Sequence, residues 1–250
     1  YKFFFRRKNK DFIGVYKNYE EASKNSNNLN YDINKSSGKK NTLTSLNNLE
    51  VSDRYNIVPA FYSSSNKNKK LNFLEIGAGN TPLFLYMLQS TELNMKCQVL
   101  EEKNFKIDVA EKYSNNIIYL NELEKINFKN LDFACFTSSI QYMKNFNEVL
   151  NLIFKNKVKH IFILETFFTE LSHNITTLQI NMLNVKIPNI FFSAELLNKI
   201  FLENGYKKIF SAKKNYYKSS KNTINYDQYT HDTLEEGSFF LQDLIYERID

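Results

Sequence analysis

Leu74-Glu75-Ile76-Gly77-Ala78-Gly79-Asn80-Thr81-Pro82 is the stretch that decides the fold. It closes an apolar run, Leu71–Ile76, and opens a helical pattern, Pro82–Leu93. Gly77 and Gly79 permit a tight turn and close approach of a ligand to the backbone. Asn80 or Thr81 can cap the helix, and Pro82 suits its first turn. A helix N-terminus beside a glycine turn offers free N–H groups to an anionic or carboxylate ligand. The third glycine of the dinucleotide fingerprint G-x-G-x-x-G is absent, because Pro82 stands there. That argues against a nicotinamide or flavin dinucleotide, where the third glycine lets helix and strand pack closely.

Working outward from this turn, short runs rich in Ile, Leu, Val and Phe predict strands at Leu71–Ile76, Cys97–Glu101, Asn116–Leu120, Leu131–Thr137 and His160–Glu165. Helical stretches at Pro82–Leu93, Lys103–Tyr113 and Phe146–Asn156 lie between them. Apolar runs alternating with helices signal βαβ units and a parallel sheet buried on both faces. Right-handed connections then limit the topology to a doubly wound, Rossmann-like α/β domain. Thr166–Phe192 reads as irregular. A helix Ser193–Asn204 follows, ended by Gly205, then a strand Tyr206–Ala212 and a last strand near Phe239–Arg248. This late pair predicts an antiparallel edge strand on a mostly parallel, seven-stranded sheet.

Residues 1–70 read differently, as an arm with two modest helices, Tyr19–Asn25 and Ser45–Tyr62, the second broken near Pro59. The expected division is therefore an N-terminal arm and helices over 1–70 and a sheet domain over 71–250. The 250-residue chain carries a net charge of +6. Residues 1–70 hold 14 Lys and Arg against 6 Asp and Glu, while 71–250 hold 19 against 21. The positive charge thus belongs to the arm and is in part a compositional bias toward Lys and Asn. Mean hydropathy is −0.47, and no apolar run reaches the ~18 residues of a membrane helix. Tyr1–Lys10 turns basic after three Phe and does not read as a secretory signal. Cys97 and Cys135 fall in predicted buried strands, which fits a reducing compartment, and the expected location is cytoplasmic.

A ligand at such a turn needs an acidic residue ending the second strand, where a carboxylate accepts hydrogen bonds from two ribose hydroxyls. Glu101, 22 residues after Gly79, supplies it. Thr137 and Ser138, at the carboxyl end of the fourth strand, are better placed for a ligand than Asp132 at its start. Ser139-Ile140-Gln141-Tyr142 would cross the mouth of the site, although Tyr142 could equally pack on the next helix. The pattern E-x-G-x-G at Glu75–Gly79 resembles that of Rossmann-like methyltransferases using S-adenosylmethionine. That resemblance makes Glu75, Gly77, Ala78, Gly79, Asn80, Glu101, Thr137 and Ser138 the expected cofactor-binding residues.

Several segments together resemble a family of S-adenosylmethionine-dependent methyltransferases found among bacterial surface-polysaccharide genes. They are Phe12-Ile13-Gly14-Val15-Tyr16, Tyr19-Glu20-Glu21-Ala22, Glu75–Gly79, Val99-Leu100-Glu101, Thr137–Tyr142, Thr177-Leu178-Gln179 and Asn204-Gly205-Tyr206. The chain departs from the family after the fifth strand, where Glu165-Thr166-Phe167 replaces an Arg-Thr-Pro-like corner. Near residue 31, Asn30-Tyr31-Asp32 stands for Gly-Tyr-Asp. The resemblance implies a class I methyltransferase fold, S-adenosylmethionine and a small-molecule acceptor, with a sugar expected.

Methyl transfer from a sulfonium is a direct displacement that needs an aligned nucleophile, plus a base where the acceptor is a hydroxyl. His173, the one histidine in Thr166–Phe192, and Glu165 at the end of the fifth strand are the candidates for that base. His173 could also be a surface loop residue. Tyr16, Gln141, Tyr142 and Gln179 are the candidates for holding the acceptor, although Gln179 could equally be structural. Phe12, Gly14, Tyr16 and Tyr19 could close over the site or simply pack the arm. No H-E-x-x-H or H-x-H spacing occurs, so no metal is expected. No Asn-Pro-Pro-Tyr motif follows the fourth strand, and no nucleic-acid partner is expected. The competing reading is a non-catalytic protein that keeps the fold as a binding module or scaffold. The oligomeric state is not legible from the chain.

Overall fold

The computed structural model describes residues 11–27, 56–63, 70–78, 83–90, 94–101, 115–180, 185–214, 224–225 and 239–249. The strands are β1 (Asp11–Tyr16), β2 (Leu71–Ile76), β3 (Met95–Leu100), β4 (Ile117–Leu120), β5 (Phe133–Thr137), β6 (His160–Thr169), β7 (Ile175–Ile180), β8 (Lys186–Ser193), β9 (Tyr206–Lys214), β10 (Ile224–Asn225) and β11 (Phe239–Arg248). The helices are α1 (Tyr19–Asn25), α2 (Ile57–Ser63), α3 (Leu83–Ser90), α4 (Phe146–Lys155) and α5 (Ala194–Glu203). The predicted helix over 103–113, and the part of Ser45–Tyr62 before residue 56, lie outside the described residues.

Seven strands pair in the order β4-β3-β2-β5-β6-β11-β9. All run parallel except β11, which is antiparallel to both neighbours. The antiparallel strand therefore lies one place in from the edge, and β9 is the outermost strand. Side chains alternate across the sheet as the period-2 geometry of a strand requires. Leu74, Ile76, Ala134, Phe136, Ile161 and Ile163 face one apolar layer. Leu71, Phe73, Phe133, Cys135, Phe162 and Leu164 face the other. Helix α4 covers the first layer with Phe146, Val149, Leu150, Ile153 and Phe154, an i, i+3, i+4, i+7, i+8 stripe that makes one helix face apolar. Helices α2 and α3 cover the second, through Val58, Tyr62, Leu83, Phe84 and Met87. Tyr62 stacks on Phe133 at 5.0 Å.

The stretch read as irregular, Thr166–Phe192, is largely strand. β6 runs on to Thr169, and β7 and β8 belong to a second, smaller sheet in the order β10-β1-β7-β8. β8 joins β6 through Phe168↔Phe192 and Thr169↔Ser193, beyond the point where β5 ends. Two features hid this from the sequence. Glu165 has φ +47, and Leu164 and Glu165 together oppose Asp243 of β11, so a bulge breaks the alternation. Pro188 interrupts β8, which is tolerated because β8 meets β6 only at its last two residues and Pro188 lies on the stretch before them. Phe12–Tyr16, read as an arm, is the strand that pairs with β7. Phe12 is buried, with its ring 5.2 Å from Phe167 and 4.8 Å from Phe191. Among the described residues, no helix is long and apolar enough to cross a membrane.

Candidate functional site

The chain lays β3 and β4 on one side of β2, then returns to place β5 and β6 on the other. Strand order therefore reverses between β2 and β5, and open α/β sheets bind ligands outside the carboxyl ends of strands at such a reversal. Gly77 follows β2 there, with φ +70, a conformation that side chains other than glycine rarely adopt. A Cβ on Gly77 would sit 2.6 Å from Ser139 Cβ. Ser139 is fixed in turn, because its hydroxyl donates to the Ile76 carbonyl at 2.6 Å. Gly77 N–H donates to Leu100 O at 3.0 Å, which ties the turn to β3.

Glu75 stands behind this turn. It is fully buried, and both carboxylate oxygens accept from Leu83 N–H, at 2.9 and 2.8 Å. A carboxylate at the N-terminus of α3 satisfies an orphan helix donor and is favoured by the helix dipole. It thus clamps the strand end to the helix start, on either side of Gly79 and Asn80, which lie outside the described residues. Glu101 is half-buried at the end of β3, and its backbone N–H donates to Leu120 O at 2.9 Å. The side chain is thereby held on the rim, one strand over from Gly77.

On the other side of the reversal, Thr137 is buried with its hydroxyl 3.3 Å from Cys135 Sγ. Burial pushes the Cys135 thiol up, and the Glu75 carboxylate adds to the shift, so the thiol stays protonated. Ser138 has φ +53, and its N–H donates to Leu164 O at 2.8 Å. Its hydroxyl accepts from Gln141 Nε2 at 3.2 Å. Tyr142 OH donates to Gln179 Oε1 at 2.5 Å, and the Tyr142 carbonyl accepts from Tyr19 OH at 2.6 Å. This chain of contacts runs from the rim of the large sheet to β7 of the small one.

Of the two candidate bases, Glu165 lies at the rim. Its N–H donates to Asp243 Oδ1 at 2.7 Å, which pins the bulge. His173 is exposed in the turn between β6 and β7, beyond four further residues of β6, a strand length of about 13 Å. Tyr16 lines a surface groove with Val15, Lys17 and Asn18 and the acidic side of α1. His160 is at the opposite end of β6, where Tyr62 OH lies 2.9 Å from its Nδ1. Burial, then Lys159, holds the His160 imidazole below its ordinary value, so it is a neutral structural group. Among the described residues, no three His, Cys, Asp or Glu side chains cluster as a metal site would.

Two residues absent from the sequence reading, Asp243 and Asn189, belong to this region, and a third, Ser139, was read only as part of the stretch crossing the mouth of the site. Ser139 is the partner that makes Gly77 irreplaceable. Asp243 anchors the Glu165 bulge. Asn189 on β8 is fully buried. The signal for Asn189 was a lone amide in the apolar run Ile187–Phe192; the other two depend on contacts far apart in sequence.

No family model matches the chain, and no curated protein matches its sequence. Solved structures do. The 1,6-didemethyltoxoflavin-N1-methyltransferase of Burkholderia thailandensis, crystallised with 1,6-didemethyltoxoflavin and S-adenosylhomocysteine, is 10% identical, with 87% of this chain and 85% of that one covered and a TM-score of 0.51. A SAM-dependent methyltransferase from Methanosarcina mazei is 9% identical, covering 76% of this chain and 97% of that one with a TM-score of 0.50. The seven-strand order and these likenesses give this chain the fold of the class I methyltransferases.

Proposed function

We propose that the protein is an S-adenosylmethionine-dependent methyltransferase that methylates a hydroxyl of a small molecule. A sugar of surface-polysaccharide synthesis is the acceptor that the sequence resemblance favours. The observation that carries the reading is the reversal of strand order between β2 and β5, with the glycine turn that follows β2. A glycine turn that no side chain can enter faces Ser139, with a carboxylate, Glu101, ending the neighbouring strand. The same fold in methyltransferases of known structure supports it.

When bound, S-adenosylmethionine supplies an electrophilic methyl group on a sulfonium. In this reading Gly77, Ala78, Gly79 and Asn80 let the backbone approach it, with Glu75 setting the turn from behind. Glu101 accepts from the ribose hydroxyls, and Thr137 and Ser138 line the opposite wall. Gln141, Tyr142 and Gln179 orient the acceptor, with Tyr16 at the outer edge. Glu165 takes the proton from the acceptor hydroxyl as its oxygen attacks, with His173 the alternative base. Holding the reacting atoms in line is the larger contribution, since orientation alone is worth about 7–11 kcal/mol of barrier.

Incubation with isotope-labelled S-adenosylmethionine and a panel of neutral glycosides, nucleotide-activated sugars and small primary and secondary amines tests the acceptor class. Label in a methyl ether of a sugar is the expected product. Label confined to amine acceptors, with every sugar unreacted, would remove the hydroxyl chemistry.

A further inference from the structure

Buried polar groups in folded proteins are almost always hydrogen-bonded, and an unpartnered one calls for an explanation. Four such atoms lie on Asn189, Gln179 and Gln141. Asn189 Nδ2 and Oδ1, Gln179 Nε2 and Gln141 Oε1 have no hydrogen-bond partner among the described residues, and all three side chains are fully buried. Their placement follows from strand register. Asn189 of β8 lies directly opposite Thr177 of β7, and Gln179 is two residues on. Directly opposed residues share a face of a sheet, and diagonal neighbours stand ~7–8 Å apart. Asn189 and Gln179 therefore stand on one face, with Ile175, Thr177 and Phe191. Ile175 and Phe191 pack there against Phe12, Phe167 and Leu241. The adjacent residues Ile190 and Phe192 point the other way, into the layer covered by α4.

Two other bonds show how this face connects to the rim. Gln179 spends its Oε1 on Tyr142 OH, and Thr177 its hydroxyl on the Ile13 carbonyl at 3.1 Å. Gln141 spends its Nε2 on Ser138. Each of these two glutamines has one end committed to the protein and one end open. Asn189 has both ends open. The open set comprises two NH2 donors and two carbonyl acceptors. The face of β7 and β8 that carries Asn189 and Gln179, namely Ile175, Thr177, Gln179, Ile187, Asn189 and Phe191, has no charged residue.

We propose that Asn189, with Gln179, is the specificity-determining edge for the acceptor, and that it takes a neutral group with a hydrogen-bond donor and acceptor on adjacent atoms. A vicinal diol of a sugar ring and the amide edge of a lactam ring share that chemistry. An amide pairs with it through Nδ2 and Oδ1 at once. A carboxylate or phosphate would bring a charge into a buried face that carries no charged residue among the described positions of β7 and β8, so charged acceptor groups are disfavoured at this edge. The inference deepens the methyltransferase reading and rests on it for the word acceptor.

The test uses the full chain, with and without S-adenosylhomocysteine, and saturation-transfer NMR with four probes. These are a methyl glucoside, 2-pyridone, glucuronate and glucose 6-phosphate. At least one neutral probe is expected to bind, with both charged probes at least tenfold weaker. Preference for the glucoside assigns a diol edge and preference for the pyridone a lactam edge, and either supports the proposal. Asn189→Leu removes the open amide without changing the side chain's size much. It is expected to melt no lower than the parent, since no bond is lost and a desolvated amide is removed. Its affinity for the neutral probe should fall at least tenfold, while S-adenosylhomocysteine affinity stays within twofold. Asn189→Asp, which keeps the shape and removes the donor, should lose the same affinity.

A fall of several degrees in the Asn189→Leu melting temperature, or failure of that variant to fold, would overturn the proposal, because the amide would then be structurally bonded. Unchanged neutral-probe affinity in both variants, binding only of charged probes, or no binding by either neutral probe would overturn it as well. Loss of S-adenosylhomocysteine binding in the parent itself would instead sink the methyltransferase reading. The Asn189 comparison without cofactor would still decide the amide edge.

Discussion

Gly77→Ala is expected to abolish cofactor binding and to lower the unfolding free energy by about 2–5 kcal/mol. The first part of that cost is conformational, because Gly77 has φ +70 and a side chain there costs roughly 1–2 kcal/mol. The second part is steric. The new Cβ would lie 2.6 Å from Ser139 Cβ, and forcing atoms into a packed site costs typically about 1–3 kcal/mol. Ser139 cannot yield cheaply, since its hydroxyl holds the Ile76 carbonyl at 2.6 Å. The relaxation that remains is to push β2 and the turn after β5 apart, which deforms the crevice itself. Gly205 is the internal comparison. It has φ +79 but nothing within 4 Å of its Cβ position, so Gly205→Ala should cost only the conformational part and leave binding intact. Urea unfolding and ligand titration of both variants measure the difference. Equal losses in the two would show that the contact with Ser139 carries no weight.

Glu101→Ala is expected to weaken S-adenosylhomocysteine binding by roughly a hundredfold with little effect on stability. Hydrogen bonds to a charged group contribute about 1.5–3 kcal/mol. Loss of a carboxylate that accepts from two hydroxyls therefore removes about 3 kcal/mol, and every 1.4 kcal/mol is tenfold. Stability should hold, because Glu101 is half-buried at a strand end and its sheet bond to Leu120 is made by the backbone. Glu101→Gln keeps one acceptor atom and should lose about tenfold. Calorimetric titration of the three proteins ranks them. Parent-like affinity in Glu101→Ala would move the ribose contact elsewhere.

The large sheet was legible because its parallel strands are buried on both faces. Leu71–Ile76 and Phe133–Thr137 therefore read as unbroken apolar runs, each flanked by helices. The glycine turn was legible because its residues are neighbours in sequence. The small sheet was not, because its strands hold polar residues whose burial depends on distant partners. Thr177 and Gln179 look like solvated positions until Phe12–Tyr16, more than 160 residues earlier, pairs alongside them. The Glu165 bulge and Pro188 further disguised the end of β6, past Glu165, and β8 as loop. Asn189 is one amide among many in an Asn-rich chain; its apolar neighbours are a faint signal, and its burial with no partner among the described residues is what sets it apart. The contact of Gly77 with Ser139 joins two loops that the fold, not the local sequence, brings together.

The central claim is that the crevice between β2 and β5 is built for S-adenosylmethionine. Isothermal titration of the intact protein with S-adenosylhomocysteine tests it most directly. Saturable heat with one site per chain, lost in Gly77→Ala and weakened in Glu101→Ala, is the expected result. No heat from the intact, folded protein, or heat that neither variant alters, would contradict it.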